Sequence, residues 1–235
     1  MKHKLALIVI SAVLLGAVLL GLGWFLLADN AREQSAAQTL EPFHNISLSV
    51  MSGSVSVEPG DSFSISYRLH GREKVTQLEV RNDTLYFDTG FNLGWTPGGG
   101  DWQVVITVPE GTVFDSVRLH STAGSIRFGG YPFRSGSFQT TSGDIFLSDI
   151  TCDSLRAKSV SHEIQLTAAR ITQSALLETV SGKISASGAF PSIDARSVGK
   201  IQLNGADQGR RLRLGQGQPL LTAQSVSGSI RINTN

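Results

Sequence analysis

From about residue 43 onward, short runs of alternating apolar and polar residues fill the chain, and they hinge on one recurring phrase. It reads "TTSGDIFL" from Thr140, "TVSGKISA" from Thr179 and "SVSGSIRI" from Ser225. The corner positions of the phrase are Gly53, Gly124, Gly143, His162, Gly182, Gly199 and Gly228. Two residues after the corner stand Val55, Ile126, Ile145, Ile164, Ile184, Ile201 and Ile230. Further apolar columns lie four residues after it, from Val57 to Ile232, and five and seven before it, from Leu48 to Ala223 and from Ile46 to Leu221. The rows between them are mostly polar, as in His120, Gln139, Lys158, Glu178, Arg196 and Gln224. Alternation of period two on both sides of a corner predicts two short strands per repeat, each with one buried face.

From Gly124 to Gly199 the corners are spaced by 19, 19, 20 and 17 residues, the regular period of a solenoid. One such coil has two open edges and too small a core to fold alone, so a tandem stack over 116–235 is expected. A sharp bend between strands favours positive φ, which predicts glycine at the corner. Two corners depart from the phrase: His162 in "SVSHEIQL", a residue type tolerated in that conformation, and the shortened "SVGK" at Gly199. Stacking is expected to be least regular at those two levels.

Between Gly53 and Gly124 the period fails. "FSISYRL", "QLEVRNDTLYFDT" and "WQVVITVP" still read as strands there, with a hairpin turn at Asn82-Asp83. Residues 43–115 are therefore expected to hold a first coil and a capping sheet. Their loop "TGFNLGWTPGGGDW" carries Trp95 and Trp102 among glycines. Two readings stand: a contact for a sugar or a lipid headgroup, or a cover folded back on the sheet.

The start of the chain follows another pattern. Leu5 to Ala28 is an uncharged apolar run, about 36 Å long as a helix and sufficient to cross a bilayer. Lys2 and Lys4 precede it and Asp29 follows, which predicts residues 1–4 in the cytoplasm, a transmembrane helix over 5–28 and an extracytoplasmic remainder. Residues 29–42 read as a polar tether. The rival reading is a cleaved export signal, cut near Ala28 or Ala37, and both place the repeats outside the membrane.

Composition narrows the chemistry. A formal charge of +1 over 235 residues gives no basic footprint for nucleic acid. Cys152 is the only cysteine, which excludes an intrachain disulfide and a cysteine-based zinc cluster and favours a small core residue over a reactive thiol. The histidines at 3, 44, 70, 120 and 162 show no ligand spacing, and no motif implies a cofactor. Asp144 and Glu163 share the column after the corner in successive coils, about 5 Å apart, a separation suited to a retaining glycosidase. Lys183 and Lys200 continue that column, so an exposed charge ladder explains it equally.

The phrases "TTSGDIFLSDI", "TVSGKISASG" and "SVSGSIRI", preceded by "VVITVPEGTVFDSVRLHSTAGSI", resemble the bacterial family of β-strand-repeat proteins known as putative adhesins. The resemblance covers roughly 43–235. It implies an all-β, right-handed parallel β-helix outside the membrane and, for some members, an association with envelope stress responses. It supplies no catalytic residues. The expected function is thus a non-enzymatic binding or scaffold module at the cell envelope, with a cell-wall glycan or a membrane signalling protein as partner. A regulatory component of an envelope-stress system and a glycan-modifying enzyme are the alternatives. The last coil, ending at Asn235, is expected to leave an open edge that a second copy could pair with.

Overall fold

The computed structural model describes residues 34–69, 73–91 and 102–234. Among them there is no helix, and none long and apolar enough to cross a membrane. The apolar run 5–28 lies outside the described residues.

Among the described residues eight parallel rungs stack on one another, each made of a strand before a corner and a strand after it. Four follow chain order. Phe114–Ala123 with Ile126–Gly129 is followed by Phe133–Ser142 with Ile145–Ser148. Next comes Thr151–Ser159 with the start of the long strand Ile164–Thr179, then the end of that strand with Ile184–Gly188. In this stretch Ile126, Ile145, Ile164 and Ile184 stand directly above one another. The step of 20 residues between His162 and Gly182 is absorbed by a bulge, because Cys152 pairs with Ile171 while Ser154 pairs with Ser174.

At both ends, stacking order departs from chain order. The rung Asn45–Ser52 with Ser54–Pro59 comes first in the chain but second in the stack. It lies between the rung above and an outer one built from Thr84–Phe91 and Gln103–Val108. At the other end the chain skips a level. Ser192–Ser197 with Ile201–Leu203 forms the eighth rung, and the last strands, Leu220–Ser225 and Ile230–Thr234, return to fill the seventh between sixth and eighth. This corrects two expectations. The stretch beyond Gly53 contributes a full rung as well as a cap, and the chain's last rung is paired on both sides instead of lying open.

Antiparallel strands finish the stack. Glu73–Arg81 pairs with Thr84–Phe91 through the Asn82-Asp83 turn, where both residues have positive φ as a tight hairpin requires. Ser64–Leu69 pairs with Gln103–Val108 and in turn carries Gln34–Thr39, so the second half of the expected tether is a strand. At the far end Arg211–Leu214 covers the eighth rung, as does the short Ala206–Asp207.

The predicted columns form the core. The column from Val55 and Ile126 through Ile201 and Ile230 has no solvent exposure at all. The upstream columns are also buried, with Leu48, Leu119, Phe138, Ala157, Leu177, Ala195 and Ala223 forming one of them. Gly136 interrupts the other because a Cβ there would press on the rings of Phe133 and Phe138. Burying one such Ile or Leu is worth about 1.5–3 kcal/mol, and truncation to alanine would cost about 2–5 kcal/mol.

The corner glycines have a different cause from the one expected. Only Gly53, at φ +97°, adopts the left-handed region. At Gly124, Gly143, Gly182 and Gly228 a Cβ would overlap the carbonyl oxygen of the corner in the neighbouring rung, so glycine is required by close approach of backbones. Beside every corner from Gly124 onward runs a column of buried hydroxyls, Ser121, Thr140, Ser159, Thr179, Ser225 and Ser197, whereas Val50 holds that place at Gly53. Ser159 shows their role. Its hydroxyl donates to the Gly143 carbonyl one rung away (3.1 Å) and accepts the N–H of His162 in its own corner (3.2 Å). Ser225 does the same between Gly182 and Gly228. Both irregular corners stay in register, with Ile164 stacked on Ile145 and Ile201 on Ile230, and at "SVGK" Ser197 still bonds the Gly228 carbonyl.

Candidate functional site

Alternation places the residue two before each corner on the outer surface. In stacking order that row reads Met51, Thr122, Thr141, Val160, Val180 and Val226, with Val198 as the counterpart in the shortened eighth corner. An outward valine is out of keeping with the polar pattern, and here it recurs on successive rungs. Val180, Val226 and Val198 are 44%, 60% and 61% exposed, which places three adjacent aliphatic side chains in contact with solvent. They form the floor of a groove of about 470 Å³ that runs along the solenoid axis beside the last corners.

The walls of the groove are charged. Lys158 stands at one end, while Arg210 and Arg211 stand at the other. Arg211 is set opposite Arg196 by the antiparallel pairing of its strand, and the Arg210 carbonyl accepts the N–H of Ser197 (3.0 Å). Two wall residues are already committed: Glu178 to Arg156 at 2.8 Å, and Arg196 to Asp194 at 3.3 Å. Among the described residues, Lys158, Arg210 and Arg211 form no ion pair. The buried hydroxyls beneath hold the corner backbones, so the floor is built on corners cross-linked between rungs. Sequence reasoning missed this groove, although the apolar residue at an outward position was its visible signal.

The residues singled out from the sequence lie elsewhere. Trp95 is outside the described residues. Trp102 is half-buried and occupies the corner of the outermost rung, where its carbonyl accepts the N–H of Ser54 (2.8 Å) and crowds Gly53. Asp144 and Glu163 are brought together as expected, but both carboxylates are engaged. Asp144 Oδ1 accepts the N–H of Glu163 (3.0 Å), and Glu163 pairs with Lys183 (3.1 Å). The outward column after the corner is therefore a rung-to-rung ladder, continued by Ser125 Oγ accepting the N–H of Asp144. His162 is exposed, and its N–H is held by Ser159. Cys152 is buried, and burial together with Asp153 pushes its thiol up to about 12. Among the described residues no cluster of metal-ligating side chains occurs.

A buried carboxylate, Glu73, was also missed. It is 1% exposed and accepts four hydrogen bonds, from the N–H of Met51 (3.0 Å), the N–H (3.3 Å) and hydroxyl (2.5 Å) of Ser52, and the hydroxyl of Thr89. Next to the outermost rung it takes up donors at the second rung's corner. These four donors leave it no capacity for a ligand.

The family model that matches this chain is the Toastrack domain DUF4097, over residues 43–235. The chain belongs to that family. Among solved structures, it is similar to a putative cell adhesion protein from Clostridium sporogenes, at 10% identity and TM-score 0.55, covering 87% of this chain and 100% of that one. A putative adhesin from Bacteroides fragilis aligns at 13% identity and TM-score 0.48, over 86% and 97% of the two chains. A putative lipid binding protein from Parabacteroides distasonis aligns at 14% identity and TM-score 0.36, over 88% and 98%. At 10% identity the likeness to the Clostridium sporogenes protein concerns the fold alone. No curated protein matches the chain.

Proposed function

We propose that this Toastrack protein is a non-enzymatic binding module, held at a membrane by residues 5–28 and displayed on its outer side, and that the valine-floored groove is the surface it binds with. The observation that carries this reading is the row of exposed Val180, Val226 and Val198 between uncommitted cations. Exposed aliphatic side chains lose water favourably only when something covers them, and a row of them on a rigid edge is a binding feature before it is a folding one. The Asp144–Glu163 pair offers little support for a cleavage role, since each carboxylate is bound into the rung ladder.

The test uses full-length protein in detergent micelles, incubated with bacterial envelope material. Retention should fall at least fivefold in a Val226→Asp variant and be unchanged in Trp102→Ala. Loss in Trp102→Ala with Val226→Asp unaffected would move the site to the tryptophan loop. Equal retention of all three proteins would refute a binding role for either surface.

A further inference from the structure

The groove's lining also indicates what occupies it, and this step rests on the binding role proposed above. We infer that the groove takes an extended, acidic peptide segment of a partner protein, with aliphatic residues at its centre and carboxylates towards both ends.

The dimensions fit a peptide. From the rung of Lys158 to the strand of Arg211 there are four strand spacings, about 19 Å at roughly 4.8 Å each. An extended peptide rises about 3.3 Å per residue, so about six residues span this distance. Its same-side residues recur about every 7 Å, so two of them cover a floor of three valines about 10 Å long. The cations sit at the ends of that floor, Lys158 at one and Arg210 with Arg211 at the other. Arginine's planar fork matches a carboxylate bidentately, and two adjacent unpaired guanidiniums give that end a strong preference for an acidic side chain. Gln224, on the lining between the ends, supplies an amide that can hydrogen-bond the peptide there.

Alternative occupants fit less well. Sugar rings are held by stacking on aromatic side chains, and none of the groove's lining residues is aromatic. A lipid surface would meet the end of the stack nearest the membrane. The chain enters the stack at the end opposite the groove, through Gln34–Thr39 next to the outermost rung, only five residues after the apolar run. Five residues extend about 18 Å at most, so the entry end is held near the bilayer and the groove lies several rungs beyond it.

The experiment measures fluorescence anisotropy with the full-length protein in detergent micelles. The probe is a labelled seven-residue peptide with two valines between paired glutamates. Its counterparts carry lysines for the glutamates or serines for the valines. Saturable binding of the first is expected, with at least tenfold weakening for each counterpart. Similar weakening is expected in an Arg210→Glu/Arg211→Glu variant, in Lys158→Glu, and on raising the salt from 50 to 300 mM. All three substituted side chains are exposed, so folding is not at stake, and a melting curve checks it. Absence of binding, or binding indifferent to all three substitutions, overturns the inference. If oligogalacturonate or anionic vesicles bind in a way that Arg210→Glu/Arg211→Glu abolishes while the peptide does not, the peptide is wrong and the groove stands. If nothing binds and envelope retention is also insensitive to Val226→Asp, both readings fall.

Discussion

The middle of the stack and its two ends are made of the same repeat but assembled by different rules. In the middle, from Phe114 to Gly188, each rung rests on the one before it in the chain, and every contact is about 19 residues long in sequence. At the ends a later segment is placed outside an earlier one, or an earlier level is filled last, so that Leu177 pairs with Ala223 across 46 residues. A purely sequential solenoid leaves its terminal rungs to fray one at a time. Interleaving places both terminal rungs inside the stack, with each face hydrogen-bonded, and turns the ends into closures.

The largest test of that contrast is to remove the seventh rung. A chain ending at Gln218 should lose its cooperative unfolding transition altogether, because Ser192–Ser197 and Ile201–Leu203 lose their parallel partners and the sixth rung is bared. Circular dichroism melts and limited proteolysis would reveal it, and a sharp melt close to that of the full chain would mean that the eighth rung docks directly on the sixth.

Within the middle, the backbone approach at the corners should dominate. Gly143→Ala forces a methyl group into the Gly124 carbonyl and is expected to cost about 3 kcal/mol in urea unfolding. Gly111→Ala, where a Cβ meets nothing and only the positive φ opposes it, should cost about 1 kcal/mol. Equal costs would mean that the corners relax freely.

The hydroxyl column comes next. Ser159→Ala strands the Gly143 carbonyl and the His162 N–H and should cost about 1–3 kcal/mol. Ser181→Ala, an exposed serine on the outer side of a corner, should stay within about 0.5 kcal/mol.

The smallest effect concerns Cys152, whose thiol is raised from 9.0 to about 12 in the fold. The folded state holds that proton more tightly than the unfolded chain, so its contribution is complete below pH 9 and declines as pH rises towards 12. By pH 10 the loss should be about 1 kcal/mol, and a Cys152→Ala variant should lack this slope. Iodoacetamide at pH 8 should leave the native thiol intact.

How legible this was depends on parity and on neighbours. Columns two and four after the corner, and five and seven before it, announced their burial because one strand face must be apolar. The hydroxyl column lies three before the corner, on that same inward parity. Ser159 and Thr179 were therefore visible as polar residues at core positions, yet serine is common enough in turns to pass as surface. The valine row is the inverse case, apolar on the outward parity. Stacking order was not readable, because like columns fit one another whichever rungs meet. Ile184 packs on Ile230 as well as it would on Ile201. Glu73 gave no signal at all, since its partners lie 16 to 22 residues away in other strands.

The seventh rung also sets a clock. The eighth rung's first strand, ending at Ser197, is complete 37 residues before Thr234, the end of the strand pair that must lie beneath it. At a synthesis rate of about 5–20 residues per second, that is roughly 2–7 seconds in which an apolar strand is present without the rung it stacks on. For that interval the newborn chain depends on the sixth rung's exposed edge staying unoccupied, and whatever holds the chain while it is being made guards that edge.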